Sequence, residues 1–293
     1  MSSSEQIYIK TIGCQSALNR LKRKIPYGWD LNIYRGCGHG CKYCYAIYSH
    51  DYLSDGNFFG NVYVKDNIVE ALESELKSEK WNREIVNIGG VTDSYQPCEK
   101  EQKIMPAVLK LFIKYKTPII ISTKSDLILR DYDLIDELSR ITYVNVASSI
   151  ITTDENLRKT VEPGSTESGK RFEMLKTFRK TNASTGIHVM PIIPFLTDTS
   201  ENFESLCAAA AAANVHYMLP GTLYLRGKTR KYFFNFIAAH FPEIRDGLST
   251  LYTTGGADRQ YKEKLYEMVN ILRNKYRLSG SWSKPMKEKL HNT

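Results

Sequence analysis

Short runs rich in β-branched residues alternate along this chain with longer stretches of helical periodicity, and that alternation most limits the folds open to it. Residues 31–34 and 61–64 read as strands, and 68–76 carries Ile68, Leu72 and Leu76 at helical spacing. Further strands follow at 85–88, 118–122, 144–149, 186–193 and 216–225, with helices at 105–115, 132–138, 170–179 and 201–213. Strands separated by helices imply a parallel sheet with the helices packed outside it. About six such units predict an α/β fold, a partial (β/α)6 barrel rather than a full eight. A doubly wound open sheet is the competing arrangement, and in either case loops at the carboxyl ends of the strands carry the chemistry. Residues from 228 to about 278 read as helical in two pieces interrupted by Gly255-Gly256. The expected division is an N-terminal arm (1–26), a barrel (27–227) and a helical C-terminal extension (228–293).

The 293 residues suffice for one large domain with a full core, and 42% hydrophobic with 25% charged residues is an ordinary globular composition. No stretch approaches the roughly 20 apolar residues of a membrane span. Met1 to Gln6 are polar and give no secretory signal, so a cytoplasmic location without a membrane partner is expected. The net charge of +8 reads as a solvated lysine-rich surface or, more sharply, as a mark of an anionic partner such as nucleic acid. Arg20, Lys22, Arg23 and Lys24 form the densest basic run.

Six cysteines are too few and too unevenly spread for a disulfide framework, and three of them crowd into eight residues. The segment runs Arg35-Gly36-Cys37-Gly38-His39-Gly40-Cys41-Lys42-Tyr43-Cys44-Tyr45, directly after a strand. Three thiolates at this spacing can hold three irons of one cubane, and the glycines let the backbone bend around it. A [4Fe-4S] cluster ordinarily takes four cysteines, so three leave one iron open. An open iron can chelate the amino and carboxylate groups of S-adenosylmethionine. One electron then breaks a C–S bond and yields a 5′-deoxyadenosyl radical, chemistry that belongs to the cofactor. The alternative is a Cys3His zinc site with His39 as fourth ligand, at a spacing tighter than zinc sites use.

Cys-x3-Cys-x2-Cys with Tyr43 before the last cysteine resembles the signature of the radical SAM superfamily. The wider context resembles its spore photoproduct lyase-like branch. The matching stretches are Ser16-Ala17-Leu18-Asn19, Leu31 to Cys37, Thr92-Asp93-Ser94-Tyr95-Gln96-Pro97, Ser122-Thr123-Lys124-Ser125 and Glu162-Pro163, in the family's order. The resemblance implies that the turn containing Gly90, Thr92 and Asp93 meets the methionine amino group of the cofactor. By the same carry-over Lys124 meets the methionine carboxylate, Ser149 the ribose, and Tyr43 the adenine. Arg171 reaches a carboxylate or forms a structural pair with Glu162. Each has a plainer reading: Thr92 or Asp93 as a helix cap, Lys124 as a solvated rim lysine, Tyr43 as a core aromatic. His188 and His216 read as hydrogen-bonded core residues, and Cys207 as core.

The resemblance departs at Val91, where the lyases place the cysteine that returns hydrogen to the substrate radical. Cys98 then stands as the candidate donor, on a loop expected at the catalytic face, or else as a half-buried cysteine at a helix start. The function expected is reductive cleavage of S-adenosylmethionine followed by hydrogen abstraction from an organic substrate. That substrate is a nucleic acid base, or alternatively a peptide or small molecule, and the reductant is of the flavodoxin or ferredoxin kind. A non-catalytic binding module stabilised by zinc or a cluster is the reading from a different class.

Overall fold

The computed structural model describes residues 7–22, 27–51, 53 and 56–283; of the basic run, Arg23 and Lys24 lie outside the described residues. Two short strands, β1 (Tyr8–Ile12) and β2 (Leu18–Arg20), precede β3 (Trp29–Leu31). An excursion then carries β4 (Tyr34–Arg35), the cysteine loop, β5 (Asn61–Lys65) and α1 (Ile68–Leu76) before β6 (Val86–Ile88). Next come α2 (Glu99–Gln102), α3 (Ile104–Lys114), β7 (Ile119–Thr123), α4 (Tyr132–Ile141) and β8 (Val144–Ser149). The chain continues through α5 (Glu155–Val161), α6 (Ser168–Phe178), β9 (Ser184–Ile192), α7 (Ser200–Ala212) and β10 (Tyr217–Thr222). Helices α8 (Gly227–His240), α9 (Arg245–Leu251) and α10 (Arg259–Lys275) follow.

Strands β3, β6, β7, β8, β9 and β10 are parallel neighbours in that order, with β2 antiparallel on the β3 edge. The order follows the chain without reversal. A doubly wound sheet reverses at a switch point, so this is the partial (β/α)6 barrel that the alternation predicts. A smaller sheet, β1-β5-β4, flanks the cysteine loop.

Strand side chains alternate between the two faces, and here the two faces differ in chemistry. Val86, Ile88, Ile119, Ile121, Val144, Val146, Ile187 and Val189 point outward into one core with Leu109, Phe112, Leu138, Leu175 and Phe203 from the helices. Asn87, Ile120, Ser122, Asn145, Ser149, His188 and Tyr217 point inward and line a cavity. Helix α1 buries Ile68, Leu72 and Leu76, the three residues its periodicity marks. Helix α5 starts on Asp154, whose Oδ1 accepts from the amides of Asn156 (2.8 Å) and Leu157 (3.1 Å), and α7 on Thr199, which accepts from Asn202 (3.2 Å).

Two expectations need correction. The strand expected at 31–34 is broken: Leu31 ends β3, and Tyr34 begins β4, which turns away to pair with β5. The break has a cause. Asn32 Oδ1 accepts from the Val91 amide (2.9 Å) instead of projecting from a strand, and the Ile33 carbonyl accepts from Lys65 (3.2 Å). The C-terminal region forms three helices rather than two, because Phe241 and Pro242 interrupt the first piece ahead of the Gly255-Gly256 break. Helix α10 packs beside α7, placing Leu265 and Val269 in the main core, where each full burial is worth about 1.5–3 kcal/mol. No helix among the described residues is long and apolar enough to cross a membrane.

Candidate cluster and cofactor site

The cysteine loop leaves β4 at Gly36, where φ is +81° and a Cβ would lie 2.4 Å from the Asn61 carbonyl oxygen, so only glycine serves. The Cys37 amide donates to the Phe58 carbonyl (3.2 Å). From there the loop is held by two distant segments. Thr92 Oγ1 donates to the Gly36 carbonyl (2.6 Å), and the Gly38 amide donates to Gln96 Oε1 (2.8 Å). On the other side the Lys42 amide donates to Val161 (2.9 Å), and the Gly164 amide donates to His39 (2.9 Å). Stretches scattered from residue 31 to 164 thus meet at one loop.

His39 is the pin. It is 2% exposed, with Nδ1 2.8 Å from the Gly164 carbonyl and Nε2 3.0 Å from Asp93 Oδ2. Both ring nitrogens are already engaged with protein oxygens, so the zinc alternative's fourth ligand would have to give up one of these contacts. Among the described residues no group of three or more His, Cys, Asp and Glu side chains is disposed to hold a single metal ion. A cubane spreads its ligands over separate irons, and the three cysteines suit that. Cys37, Cys41 and Cys44 are free thiols on the wall of one cavity of about 640 Å³. Burial pushes each thiol up to about 12, with Asp93 adding to it at Cys37, Glu162 at Cys41, and Cys41 at Cys44. Cys37 and Cys41 are buried and Cys44 is half-buried, and a cationic centre beside them would favour their thiolate forms. Soft, all-sulfur ligation by three cysteines fits an iron–sulfur cluster with one iron unligated by protein.

Around these thiols the same cavity is lined by Tyr43, Gly90, Thr92, Asp93, Lys124 and Ser149. Thr92 and Asp93 line the cavity, but their oxygens already serve the protein. Asp93 Oδ1 accepts from the Tyr95 amide (2.9 Å) and Thr123 Oγ1 (2.8 Å), and Oδ2 accepts from the Lys124 amide (2.8 Å) and faces His39. Burial would raise the Asp93 carboxyl, but the His39 ring and these donors hold it at about 2. The Gly90 carbonyl accepts from the Tyr45 hydroxyl.

Lys124 is half-buried, its Nζ 5.9 Å from the Tyr43 ring centre, and no carboxylate among the described residues lies within 4.0 Å of it. Burial works against its charge, yet Cys41, Glu162 and Asp93 outweigh burial and raise its pKa. A charged lysine in a cavity wall without a direct counterion suits a carboxylate on a ligand. Of the two serines ending β8, Ser149 lines the cavity, while Ser148 donates to the Thr123 carbonyl (2.8 Å).

Arg171 does not line the cavity. It is fully buried, its Nη1 3.2 Å from Glu162 Oε2, and it also donates to the Ser149 carbonyl. The structural pair is therefore the arrangement present. Glu162, equally buried, accepts from the Tyr43 hydroxyl, so the pair braces the cavity wall from behind. Cys98 is likewise absent from the cavity lining. The turn from Gln96 to Glu99 (2.9 Å) rolls the chain away after Pro97 and leaves Cys98 beside Glu99 and Tyr34, where burial and Glu99 push its thiol up to about 12. Cys207 is core. Cys14 is held at the edge by Asn67, which accepts from its amide and donates to its carbonyl (both 2.8 Å).

Sequence reasoning misses Tyr45, Asn87, Ser122, Asn145, His188 and Tyr217 as cavity residues. A signal was available: polar residues recur at every second position of strands whose other positions are Val or Ile, as in Val86-Asn87-Ile88 and Val144-Asn145-Val146.

Comparison with known proteins agrees with this architecture. The chain is similar to an uncharacterised protein of Mycobacterium tuberculosis, 35% identical over 273 residues that span 91% of this chain and 80% of that one. An uncharacterised protein of Methanocaldococcus jannaschii is 29% identical over 253 residues, 86% of this chain and 89% of that one. In fold the chain is similar to spore photoproduct lyase, with a TM-score of 0.67 at 13% identity over 92% of this chain and 79% of that one. The sequence model of the Radical SAM superfamily matches residues 31–207, from the end of β3 into α7, and the chain belongs to that superfamily.

Proposed function

We propose that the cavity is the active site of a radical SAM enzyme, with Cys37, Cys41 and Cys44 holding a [4Fe-4S] cluster. The observation that carries this is three thiols on one loop, Cys37 and Cys41 buried and Cys44 half-buried, facing a lysine without a direct counterion. Among the described residues the cavity wall has no fourth cysteine, and its histidines, His39 and His188, are both engaged with protein partners. When bound, such a cluster supplies the electron that cleaves S-adenosylmethionine to methionine and a 5′-deoxyadenosyl radical, which takes hydrogen from an organic substrate. The protein's own part is positional. His39 and Asp93 tie the cysteine loop to the barrel, and Lys124 binds a carboxylate. Ser149 offers a hydroxyl on the same wall, and the Glu162–Arg171 pair keeps Tyr43 and the Ser149 carbonyl in place. A one-electron reductant of the flavodoxin or ferredoxin kind completes the system.

Solved spore photoproduct lyase structures contain bound AdoMet and a dinucleoside spore photoproduct, and the shared fold together with the net charge of +8 supports a nucleic acid base as one substrate class. Val91 lines the cavity where the resemblance gives those lyases a hydrogen-donating cysteine. Thymine-dimer repair by that thiol is therefore not proposed for this chain. Hydrogen must return from 5′-deoxyadenosine or from another donor.

The test is an anaerobic assay with dithionite and S-adenosylmethionine, read as 5′-deoxyadenosine. Lys124→Ala separates cofactor binding from cluster assembly. Iron content should stay at the wild-type level while affinity for S-adenosylmethionine falls by about one to two decades, the loss of one charge-assisted contact of roughly 1.5–3 kcal/mol. An unchanged dissociation constant would return Lys124 to the solvated rim.

A further inference from the structure

Helix α8 carries a surface that none of the roles above uses. Thr229, Phe233, Phe236 and Ile237 form its buried stripe. The three apolar residues share a core with Cys41 and Tyr43, and Thr229 Oγ1 donates to the Cys44 carbonyl (3.4 Å). The Tyr232 ring centre lies 5.5 Å from that of Phe59, and α8 packs on the short helical segment Tyr45–His50 that follows Cys44. One face of α8 thus rests on the cysteine loop. Lys228, Lys231, Asn235 and Ala238 form the opposite, exposed stripe. Lys231 stands roughly 200° around the helix from Thr229, so only the thickness of a helix, about 10–12 Å, separates the outer face from the loop.

That outer face is basic. From Gly227 to His240 the helix has Lys228, Arg230 and Lys231 and no acidic residue, and Arg226 precedes it. Cations near a first turn oppose the helix dipole by about 0.3–1 kcal/mol each, so helix stability does not account for them. Lys228 is paired with Asp51. Arg230 lies over the Phe234 ring (4.8 Å), and its Nη1 donates to the Thr254 carbonyl (3.3 Å). Lys231 and Arg245 are exposed, and neither forms an ion pair with a described residue. Between α8 and the start of α9, Arg230, Lys231 and Arg245 join Asn235 and Ser249 around a hollow of about 420 Å³. Glu243 and Asp246 lie near Arg245 in sequence but not on the wall of the hollow, which has no carboxylate. Three cations and two neutral donors around one open hollow suit carboxylates on a partner.

No residue of α8 lines the cavity, so this face does not lead a nucleic acid base to the reacting atoms. A reductant has a different need. It must only come near the cysteine loop, because electron transfer falls steeply with distance and exchanges no atoms. We propose that the outer face of α8, centred on Arg230, Lys231 and Arg245, docks the acidic surface of a one-electron carrier protein. The inference rests on the reading of the cysteine loop as a cluster site in naming that partner as the reductant. The carrier is oxidised by one electron and the cluster reduced by one. Charge attraction speeds the encounter and selects the face presented.

The test uses an acidic bacterial flavodoxin as probe and the reconstituted holoenzyme, as wild type and with Lys231→Glu and Arg245→Glu combined. Binding is read by calorimetry with oxidised flavodoxin at low salt. The double variant should bind about tenfold more weakly, and the difference should vanish at about 1 M salt, where the Debye length is about 3 Å. 5′-Deoxyadenosine formation driven by reduced flavodoxin should slow by a similar factor. The dithionite-driven rate should stay at the wild-type level, because dithionite needs no docking face. Lys231→Gln, with a several-fold loss expected, carries the test if thermal unfolding shows that the double variant does not fold. Absent or salt-insensitive flavodoxin binding, unchanged affinity in a folded variant, or an equal loss of rate with both reductants would overturn the proposal. So would a single-stranded oligonucleotide that loses affinity in the variant while flavodoxin does not, since the face would then hold nucleic acid. Charge-dependent flavodoxin binding without 5′-deoxyadenosine from either reductant would instead count against the radical SAM reading alone.

Discussion

Replacing Cys41 by alanine will abolish both the iron–sulfur chromophore and 5′-deoxyadenosine formation. Wild-type protein reconstituted under anaerobic conditions should carry about four irons and four sulfides per chain, the content of one cluster. Cys41 is the central thiol of the loop and 7% exposed, and Cys14, Cys98 and Cys207 all lie off the cavity wall and cannot substitute for it. His39 cannot rotate in as a replacement ligand without giving up its contacts to Gly164 and Asp93. Even residues that merely support metal ligands cost 10–100-fold when removed, so loss of a ligand should exceed about a hundredfold and leave activity below detection. Folding should survive, because alanine keeps most of the volume of a side chain that lines a cavity and packs against Tyr43, Ile151 and Val161. A Cys41→Ala protein that still forms 5′-deoxyadenosine after reconstitution would sink the cluster assignment, whatever its colour.

The second large effect is on stability. Arg171→Met should destabilise the fold by about 3–5 kcal/mol, lowering the unfolding midpoint by on the order of 10 °C. The substitution keeps much of the aliphatic volume but strands Glu162, which is fully buried. Burial alone would raise the Glu162 carboxyl; Arg171 first, then Lys124 and the Tyr43 hydroxyl, hold it below its ordinary value. Without Arg171 that charge keeps only partial compensation, and the Ser149 carbonyl loses its donor. Arg171→Met combined with Glu162→Gln removes the stranded charge and should recover a large part of the loss. Denaturant titrations of both proteins and the wild type would show it. A single variant as stable as wild type would mean that the pair contributes little. A stable variant with weakened cofactor affinity would move Arg171 from bracing the wall to binding.

Much of the barrel was legible because its signals are local. Helix α1 shows its buried face as Ile68, Leu72 and Leu76, and β8 runs from Val144 to Ser149 as its composition indicates. Distant contacts override local signals elsewhere. Residues 31–34 have strand composition throughout, but Asn32 is taken by the Val91 amide 59 positions away, and that long-range bond splits the strand. The Arg171 alternatives were both visible, and only the fold shows α6 facing the back of the cavity wall rather than the cavity. Cys98 lies only six residues past Thr92 in sequence, but the roll of the chain after Pro97 carries it off the cavity wall.

The cysteine spacing and the six strand–helix units follow from the sequence alone, because covalent spacing and side-chain periodicity set them within a few residues. Thr92, Lys124 and Ser149, by contrast, are singled out only by the resemblance. The His39 contacts are of another kind: the ring joins Asp93, 54 positions away, to Gly164, 125 positions away. So is the polar wall, where Tyr217 bonds Asn145 across 72 positions and a glycine on the intervening strand makes the room. No local pattern encodes these meetings. They exist because parallel strands must be brought side by side by intervening helices, and the register of that pairing, together with which face turns inward, decides which polar residues share one cavity.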